Sequence, residues 1–423
     1  MIRKYILLKQ LRKNCWRSSE EIKQMQAKKL KSIIKHCYKN VPYYHSLFRQ
    51  KGFYPDDFLS QKDLVKMPVL TKLHLQSNPD DFLARGSKVK IVSKTSGTTG
   101  VPLAICLDSY AADYKDALRY RALFENGFKL TDKMVEIVDT RHFHKTPFIF
   151  RVFGMLKKYH LSIRDDNRKN LEFIKNKKPD VIYSYPSVLR LMAKDLKQNT
   201  PLPYQPKIIF TSAETMTEPT KKLISDAFSC PVIDLYGATE FGRLAWECEK
   251  QEGYHMDIDS SVIELSQGNN GEGEIIVTGL YNYAMPLLRY RIGDYGEGKN
   301  EKCSCGRSFP LLRRIEGRQD DFILLKSGRI ISPRRVNVLE FIDGINEYTT
   351  IQTKEDSFVV KIVPSQGFSQ NTVDQIKKEI IRGCGEDVNV DVQVVDKIER
   401  RGKIRTVMSQ VRKQDASKKT LAA

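Results

Sequence analysis

The chain has 423 residues, 40% of them hydrophobic, and 71 lysines and arginines against 51 acidic residues give a formal charge of +20. Length and apolar content suffice for real cores and exclude a disordered polyelectrolyte. The basic residues are scattered, with neither a zinc-finger spacing nor an RNA-recognition aromatic signature, which disfavours nucleic acid; charge alone does not choose between anionic lipid and an anionic small molecule as the partner.

The apolar run Tyr5 to Leu8 falls short of a signal-peptide core, and charge resumes at Lys9. Ser18 and Glu21 have the spacing of a capping box, and Leu30, Ile33, Ile34 and Cys37 recur at helical intervals, which predicts a long helix closed before Pro42. Val89 to Ser93 reads as a strand. Phe148 to Leu156, among the longest apolar stretches, is interrupted by Arg151 and is well short of the roughly 20 residues that span a bilayer, so no transmembrane helix is expected and the chain is assigned to the cytoplasm. Val181 to Tyr183, Lys207 to Phe210 and Val232 to Leu235 read as buried strands, with helices around Val188 to Leu196 and Lys221 to Phe228 between them. That β-α-β-α-β run predicts a parallel sheet. After about residue 320 the pattern becomes strand, helix, two strands, helix, strand, with Val388, Val390, Val392 and Val394 in strict alternation. The expected fold is α/β: a large N-terminal domain (1–319) with parallel-sheet subdomains, a small α+β C-terminal domain (320–412) and a disordered polar tail (413–423).

Five segments carry chemistry. KTSGTTGVP, residues 94–102, follows a strand and sets two glycines among hydroxyl residues, so backbone N–H groups and hydroxyls can converge on a phosphate; it is not a Walker loop, and an ordinary turn is the competing reading. DLYGATEFG, residues 234–242, lies where a parallel strand ends, the usual place for a ligand in an open sheet. There a tyrosine ring can stack on a base, a hydroxyl can bond a phosphate and a carboxylate can hold magnesium; a packed tyrosine and a surface glutamate would look the same. RYRIGD, residues 289–294, places Asp294 after a glycine turn, where its two oxygens suit ribose hydroxyls. EGRQDDFI, residues 316–323, falls at the domain boundary, and RRGKIR, residues 400–405, puts Lys403 on a late glycine-led loop.

In this order the five segments resemble the acyl-adenylate-forming superfamily, and within it the branch of phenylacetate-CoA ligases and CapK-type capsular polysaccharide biosynthesis proteins, over roughly residues 18–410; the helix leading into VPYY, residues 41–44, is similar to that branch too. The resemblance implies an AMP-forming acid ligase: ATP and Mg2+ convert a small carboxylic acid into an acyl-adenylate, and the acyl group passes to CoA or to a glycan or carrier acceptor. It implies that Thr95, Ser96, Gly97, Thr98, Thr99 and Gly100 hold the ATP phosphates, that Tyr236 and Gly237 adjoin adenine, and that Ser212, Ala213 and Glu214 form the adenine-side loop. Thr239 would contact the α-phosphate, Glu240 would hold magnesium, Asp294 the ribose, and Arg318 would act near the ribose and the hinge at Asp320. Lys403 would be the catalytic lysine, serving only the adenylating orientation of a mobile C-terminal domain. In one departure, Leu103 rather than lysine follows Pro102.

Eight cysteines without a dense framework argue for reduced thiols or a metal site. Cys248, His255, Cys303 and Cys305 make a Cys3His set suited to structural Zn2+, since four protein ligands leave no open position; free thiols beside an unrelated histidine are the alternative. Cys15, Cys37, Cys106 and Cys230 read as packing residues. His142, Phe143, His144, Pro147 and Phe148 line an acyl pocket or, more simply, form a core aromatic cluster. A catalytically degenerate nucleotide-binding scaffold of polysaccharide assembly is the competing function, and the joint presence of Glu240, Asp294 and Lys403 speaks against it.

Overall fold

The computed structural model describes residues 2–58, 60–94, 102–143, 154–266, 271–318, 321–398 and 406–411. The chain begins with helices α1 (Ile2–Asn14), α2 (Ser19–Asn40), α3 (Pro42–Lys51) and α4 (Lys72–Ser77). The capping box holds: the Glu21 N–H donates to Ser18 Oγ at 3.2 Å and the Ser18 N–H donates to Glu21 Oε2 at 2.9 Å. Strand β1 (Ile91–Lys94) does not join the main sheet; it forms an antiparallel hairpin with β2 (Ala104–Leu107), which leads into α5 (Ser109–Glu125), capped by Asp108.

The parallel sheet predicted from the β-branched runs is present. Strands β3 (Met134–Val138), β4 (Lys158–Ser162), β5 (Val181–Ser184), β6 (Ile208–Ser212) and β7 (Val232–Ala238) lie in the order β4-β3-β5-β6-β7, all parallel, with helices α6 (Asn167–Lys177), α7 (Pro186–Gln198) and α8 (Glu218–Phe228) in the connections. These helices bury one face, where Ile137, Ile182, Ile209 and Val232 meet Ile174, Met192 and Phe228; on the other, Phe210, Ile233 and Trp246 pack with Ile22 and Leu123. Burial on both faces is why these strands read as unbroken apolar runs. Six antiparallel strands extend the sheet to eleven: β8 (Gly242–Glu247), β9 (Tyr254–Met256), β10 (Ser261–Leu265), β11 (Glu272–Gly279), β12 (Tyr290–Lys299) and β13 (Leu311–Arg318), in the order β7-β8-β9-β13-β12-β11-β10.

A second, smaller core follows. Short strands β14 (Ile323–Leu324) and β15 (Ile330–Ile331) form a hairpin, and β16 (Ile345–Lys354), β17 (Ser357–Pro364), β18 (Asn389–Val394) and β19 (Val407–Ser409) form a four-stranded sheet covered by α9 (Gln370–Cys384). The helix expected between the first strand and the next two is replaced by the hairpin and two 3-10 turns, at Pro333–Arg335 and Leu339–Phe341. Pro333 stands at the first position of its turn, where proline is well tolerated, and Gly344, at φ +85°, leads the chain into β16. Besides the Tyr295–Phe322 ring pair, the contacts between the two cores among the described residues are mostly polar. The hydroxyls of Thr217 and Thr220 each donate to Glu340 Oε2 at 2.5 Å, Arg334 Nη2 donates to the Met216 carbonyl at 2.7 Å and Lys194 Nζ to the Ile345 carbonyl at 2.6 Å. No described helix is long and apolar enough to cross a membrane.

At the edge of the parallel sheet Glu136, buried in β3, accepts from Arg119 Nη2 at 2.6 Å and Lys158 Nζ at 2.9 Å. Burial alone would raise its carboxyl above the ordinary glutamate range, but the guanidinium and ammonium overcome it and hold it at about 2. A depressed carboxylate contributes stability that is complete above its unfolded pKa and is lost as pH falls through its folded one. Glu136→Gln should therefore cost roughly 3–5 kcal/mol at pH 7, the penalty for leaving buried cations unpaired. Denaturant titrations should show the gap from the parent protein closing as pH falls from 4.5 toward 2.

Candidate functional site

Strand β7 turns directly into β8, with Gly237 opposite Arg243 and Ala238 opposite Gly242. The two backbones nearly touch: a Cβ on Gly237 would lie 2.3 Å from the Gly242 carbonyl oxygen, and Gly242 itself has φ +68°. Only glycine fits both positions, and the approach forces Thr239 and Glu240 onto the tip of the turn. Tyr236 is buried and its hydroxyl donates to Asp294 Oδ2 at 2.8 Å. Asp294 does not follow a turn, as the glycine before it suggested, but lies in a β-bulge of β12, where Gly293 adopts φ +83° and three residues oppose one between the Arg291 and Tyr295 pairings. The bulge aims Asp294 at the end of β7. Arg318 is the register partner of Asp294 on β13; its Nη2 would lie 3.4 Å from a Cβ on Gly293, and its buried Nε has no hydrogen-bond partner among the described residues.

Glu240 accepts from the Tyr290 hydroxyl at 3.3 Å. Burial raises its carboxyl above the ordinary range and the Asp294 charge adds to this, so the site would gain by receiving a cation. On β6, Ser212 donates to the Leu235 carbonyl at 2.7 Å beside the same strand end, and Ala213 takes the left-handed conformation, φ +77°. Glu214 is turned to α7, where its two oxygens accept the Ser187 N–H and hydroxyl, both at 3.0 Å. Its carboxylate caps that helix. Two residues without an assigned role complete the group: Tyr290, and Lys115 of α5, whose Nζ donates to the Thr239 carbonyl at 2.8 Å. Tyr290 lies inside RYRIGD and opens β12, whereas Lys115 is one lysine among many in a helix and carries no signal of its own in sequence.

The four metal-ligand candidates converge. Cys248 follows β8, His255 lies in β9, and Cys303 and Cys305 precede β13; their donor atoms all lie within 4.8 Å of one another. The thiols of Cys248 and Cys303 are 3.6 Å apart, too far for a disulfide, and Cys305 Sγ is 3.4 Å from His255 Nε2. The N–H groups of Lys250 and Arg307 donate to the sulfurs of Cys248 and Cys305 at 3.4 and 3.5 Å, and His255 Nδ1 lies 3.4 Å from the Phe309 carbonyl, which leaves Nε2 for the ion. Three thiols, one imidazole and this surrounding set fit a tetrahedral zinc ion.

Thr95, Ser96, Gly97, Thr98, Thr99, Gly100, Asp320 and Lys403 lie outside the described residues, as do His144, Pro147 and Phe148. Phe143 is not a core aromatic: it is 37% exposed and stacks on His160, with ring centroids 5.0 Å apart. Cys15, Cys37 and Cys230 are buried as packing residues, whereas Cys106 is only partly so.

The fold, the glycine-turned strand end and the carboxylates gathered beside it define the class: residues 51–263 match the AMP-binding enzyme family, and the chain belongs to it. Residues 323–410 match the CapK C-terminal domain. Among curated proteins the chain is similar to Protein CapK of Staphylococcus aureus, 24% identical over 90% of this chain and 87% of that one, and to phenylacetate-coenzyme A ligase of Aromatoleum evansii, 28% identical over 76% of each. A crystal structure of 2-hydroxyisobutyryl-CoA ligase in the postadenylation state shares its fold, with a TM-score of 0.78 and 19% identity over 94% of this chain and 91% of that one.

Because the Gly237 approach is backbone to backbone, no side chain can yield to relieve it. Gly237→Ala should lower stability by roughly 1–3 kcal/mol or more, while Ala238→Gly, one residue on, should cost less than about 1 kcal/mol. Melting curves of the two variants check the contrast.

Proposed function

We propose that the protein is an AMP-forming acid:CoA ligase, which condenses a carboxylic acid with ATP to an acyl-adenylate and then transfers the acyl group to CoA. The observation that carries this reading is the grouping of Tyr236 near the end of β7, Glu240 in the turn after it, Asp294 in the bulge of β12 and Arg318 at the end of β13, within a chain of the AMP-binding enzyme family. The named relatives that are acid:CoA ligases support the acceptor.

Adenylation requires two anions, the acid and the α-phosphate, to meet in line, so the site must hold both and offset their charge. Tyr236 offers a buried ring edge for adenine, Asp294 acceptor oxygens for the ribose, and Arg318 a guanidinium whose buried Nε still lacks a partner. Glu240 would hold magnesium, which when bound supplies the charge neutralisation that lets the carboxylate approach the phosphate. Thr239 would orient the α-phosphate and the 95–100 loop the others. Lys403 would bridge acid and α-phosphate from the C-terminal domain, which would turn about Asp320 before the acceptor attacks the anhydride carbonyl and AMP departs.

The test is pyrophosphate release with ATP, magnesium and a panel of aryl, fatty and hydroxy acids, run with and without CoA. A thioester that forms only with CoA supports the reading; no pyrophosphate with any acid would count against it, and CoA-independent consumption of the adenylate would point instead to a carrier or glycan acceptor. With the responsive acid, Lys403→Ala should slow adenylation roughly 100- to 1000-fold, the loss typical of one pre-positioned charge-stabilising donor, and leave transfer from synthetic acyl-adenylate nearly unchanged. Equal damage to both half-reactions would contradict a role confined to the first.

We further propose that Cys248, His255, Cys303 and Cys305 hold one structural zinc. Elemental analysis should find close to one zinc per chain, and Cys303→Ser or Cys305→Ser should lose it and lower the melting temperature more than Cys230→Ser does. Structural zinc contributes on the order of 10 kcal/mol of apparent binding energy in small domains, so metal-free protein of unchanged stability would overturn the assignment.

A further inference from the structure

On α5, Arg119 pairs with Glu136, and Arg121 pairs with Asp257 and Asp259. Lys115 is different. No carboxylate among the described residues stands within ion-pair distance of it, yet the side chain is withdrawn from water and burial disfavours its ammonium. Its Nζ donates to the Thr239 carbonyl at 2.8 Å, and Glu240 supplies the largest attraction it feels. The alkyl stem lies along the far side of the same turn, where a Cβ on Gly242 would meet Lys115 Cγ at 2.8 Å and Cδ and Cε at 3.5 Å. The turn is thus gripped at two points, stem against Gly242 and ammonium on Thr239.

A cation drawn partly out of water costs free energy that a methionine of similar length would not, while the stem contact alone could be made by either. The charge must therefore answer something beyond packing.

We infer that Lys115 is a positioning residue: through the Thr239 carbonyl it fixes the 239–242 turn in the shape that presents Thr239 and Glu240 to the phosphates and magnesium of ATP. This rests on the ligase reading above. It predicts that the loss of Lys115 falls on the phosphate-and-magnesium half of the nucleotide and spares the adenosine half, which Tyr236, within β7 ahead of the turn, and Asp294 of β12 would receive.

Lys115→Met keeps the stem and removes both donor and charge. Its KM for magnesium-ATP in pyrophosphate release should rise roughly 10- to 100-fold, the scale of one charge-assisted hydrogen bond, with kcat reduced much less. Binding of AMP without magnesium should change less than about threefold. Lys115→Arg, which restores a cation and a donor, should recover part of the loss. A role limited to packing moves the melting temperature but not this split, and Lys115→Arg would then be no better than Lys115→Met. Should Lys115→Met fail to fold, Lys115→Gln, which keeps a donor without the charge, carries the same comparison. Folded variants with unchanged KM for magnesium-ATP, or with AMP and magnesium-ATP weakened alike, would overturn the inference while leaving the ligase reading intact. Parent protein that binds neither nucleotide would instead defeat the ligase reading itself.

Discussion

Arg121 is fully buried, and a guanidinium in that position must be answered by acceptors or the core cannot close around it. Asp257 and Asp259 lie 2.6 and 2.8 Å from it, Asn14 donates to Asp259 at 2.8 Å, and the Trp246 indole N–H donates to Asp257 at 2.8 Å. One charge therefore ties α1, α5, β8 and the segment after β9 into a single unit. Lys115, two turns earlier on α5, inherits its position from this anchor. So does His255, two residues before Asp257, and with it the metal-ligand set.

A second buried network lies beneath the strand that carries the nucleotide motif. Asp234 accepts from the hydroxyls of Thr211 and Tyr254 at 2.7 and 2.9 Å, and its own N–H donates to Glu247, which also receives Lys221 Nζ at 2.7 Å. Four strands and a helix meet at these polar atoms. Glu247 adjoins Cys248, so the cysteine cluster and the base of Tyr236 share one frame. A zinc ion there would act on the nucleotide site by holding strands, not by touching substrate.

Legibility in the sequence followed how local each feature is. Four of the parallel strands, β3, β5, β6 and β7, are buried on both faces, and the three whose apolar runs stand clear between helical stretches are readable as such; β4, a partly exposed edge strand, β9, only three residues long, and β12, interrupted by Gly293, Gly296 and Gly298, give no comparable pattern. The Tyr-Gly-x-Thr-Glu and Arg-x-Gly-Asp elements are contiguous and were found, though the second proved to be a bulge inside a strand. The cysteine set was legible because its residue types are rare and its spacing chemical. Lys115 was not, since its role exists only where α5 crosses the β7–β8 turn, and nothing in its neighbours distinguishes it from other lysines. The expected helix after residue 331 is replaced by two three-residue turns whose Val336, Leu339 and Ile342 still fill the small core.

Among the described residues, the seam between the two cores includes threonine hydroxyls on a glutamate, an arginine and a lysine on carbonyl oxygens, Ser332 on Glu316, the Arg190 guanidinium 5.4 Å above the Tyr348 ring, and one aromatic pair, Tyr295 with Phe322. Water can replace nearly every one of these bonds when the surfaces part, so the net free energy of contact is small beside the gross number of bonds. Populations across such a seam respond to modest differences in ligand affinity: about 1.4 kcal/mol shifts the ratio tenfold. The composition of this boundary therefore makes the small core a sensitive reporter of what fills the large one, and any substitution that greased the seam with apolar side chains would dull that response before it harmed the fold.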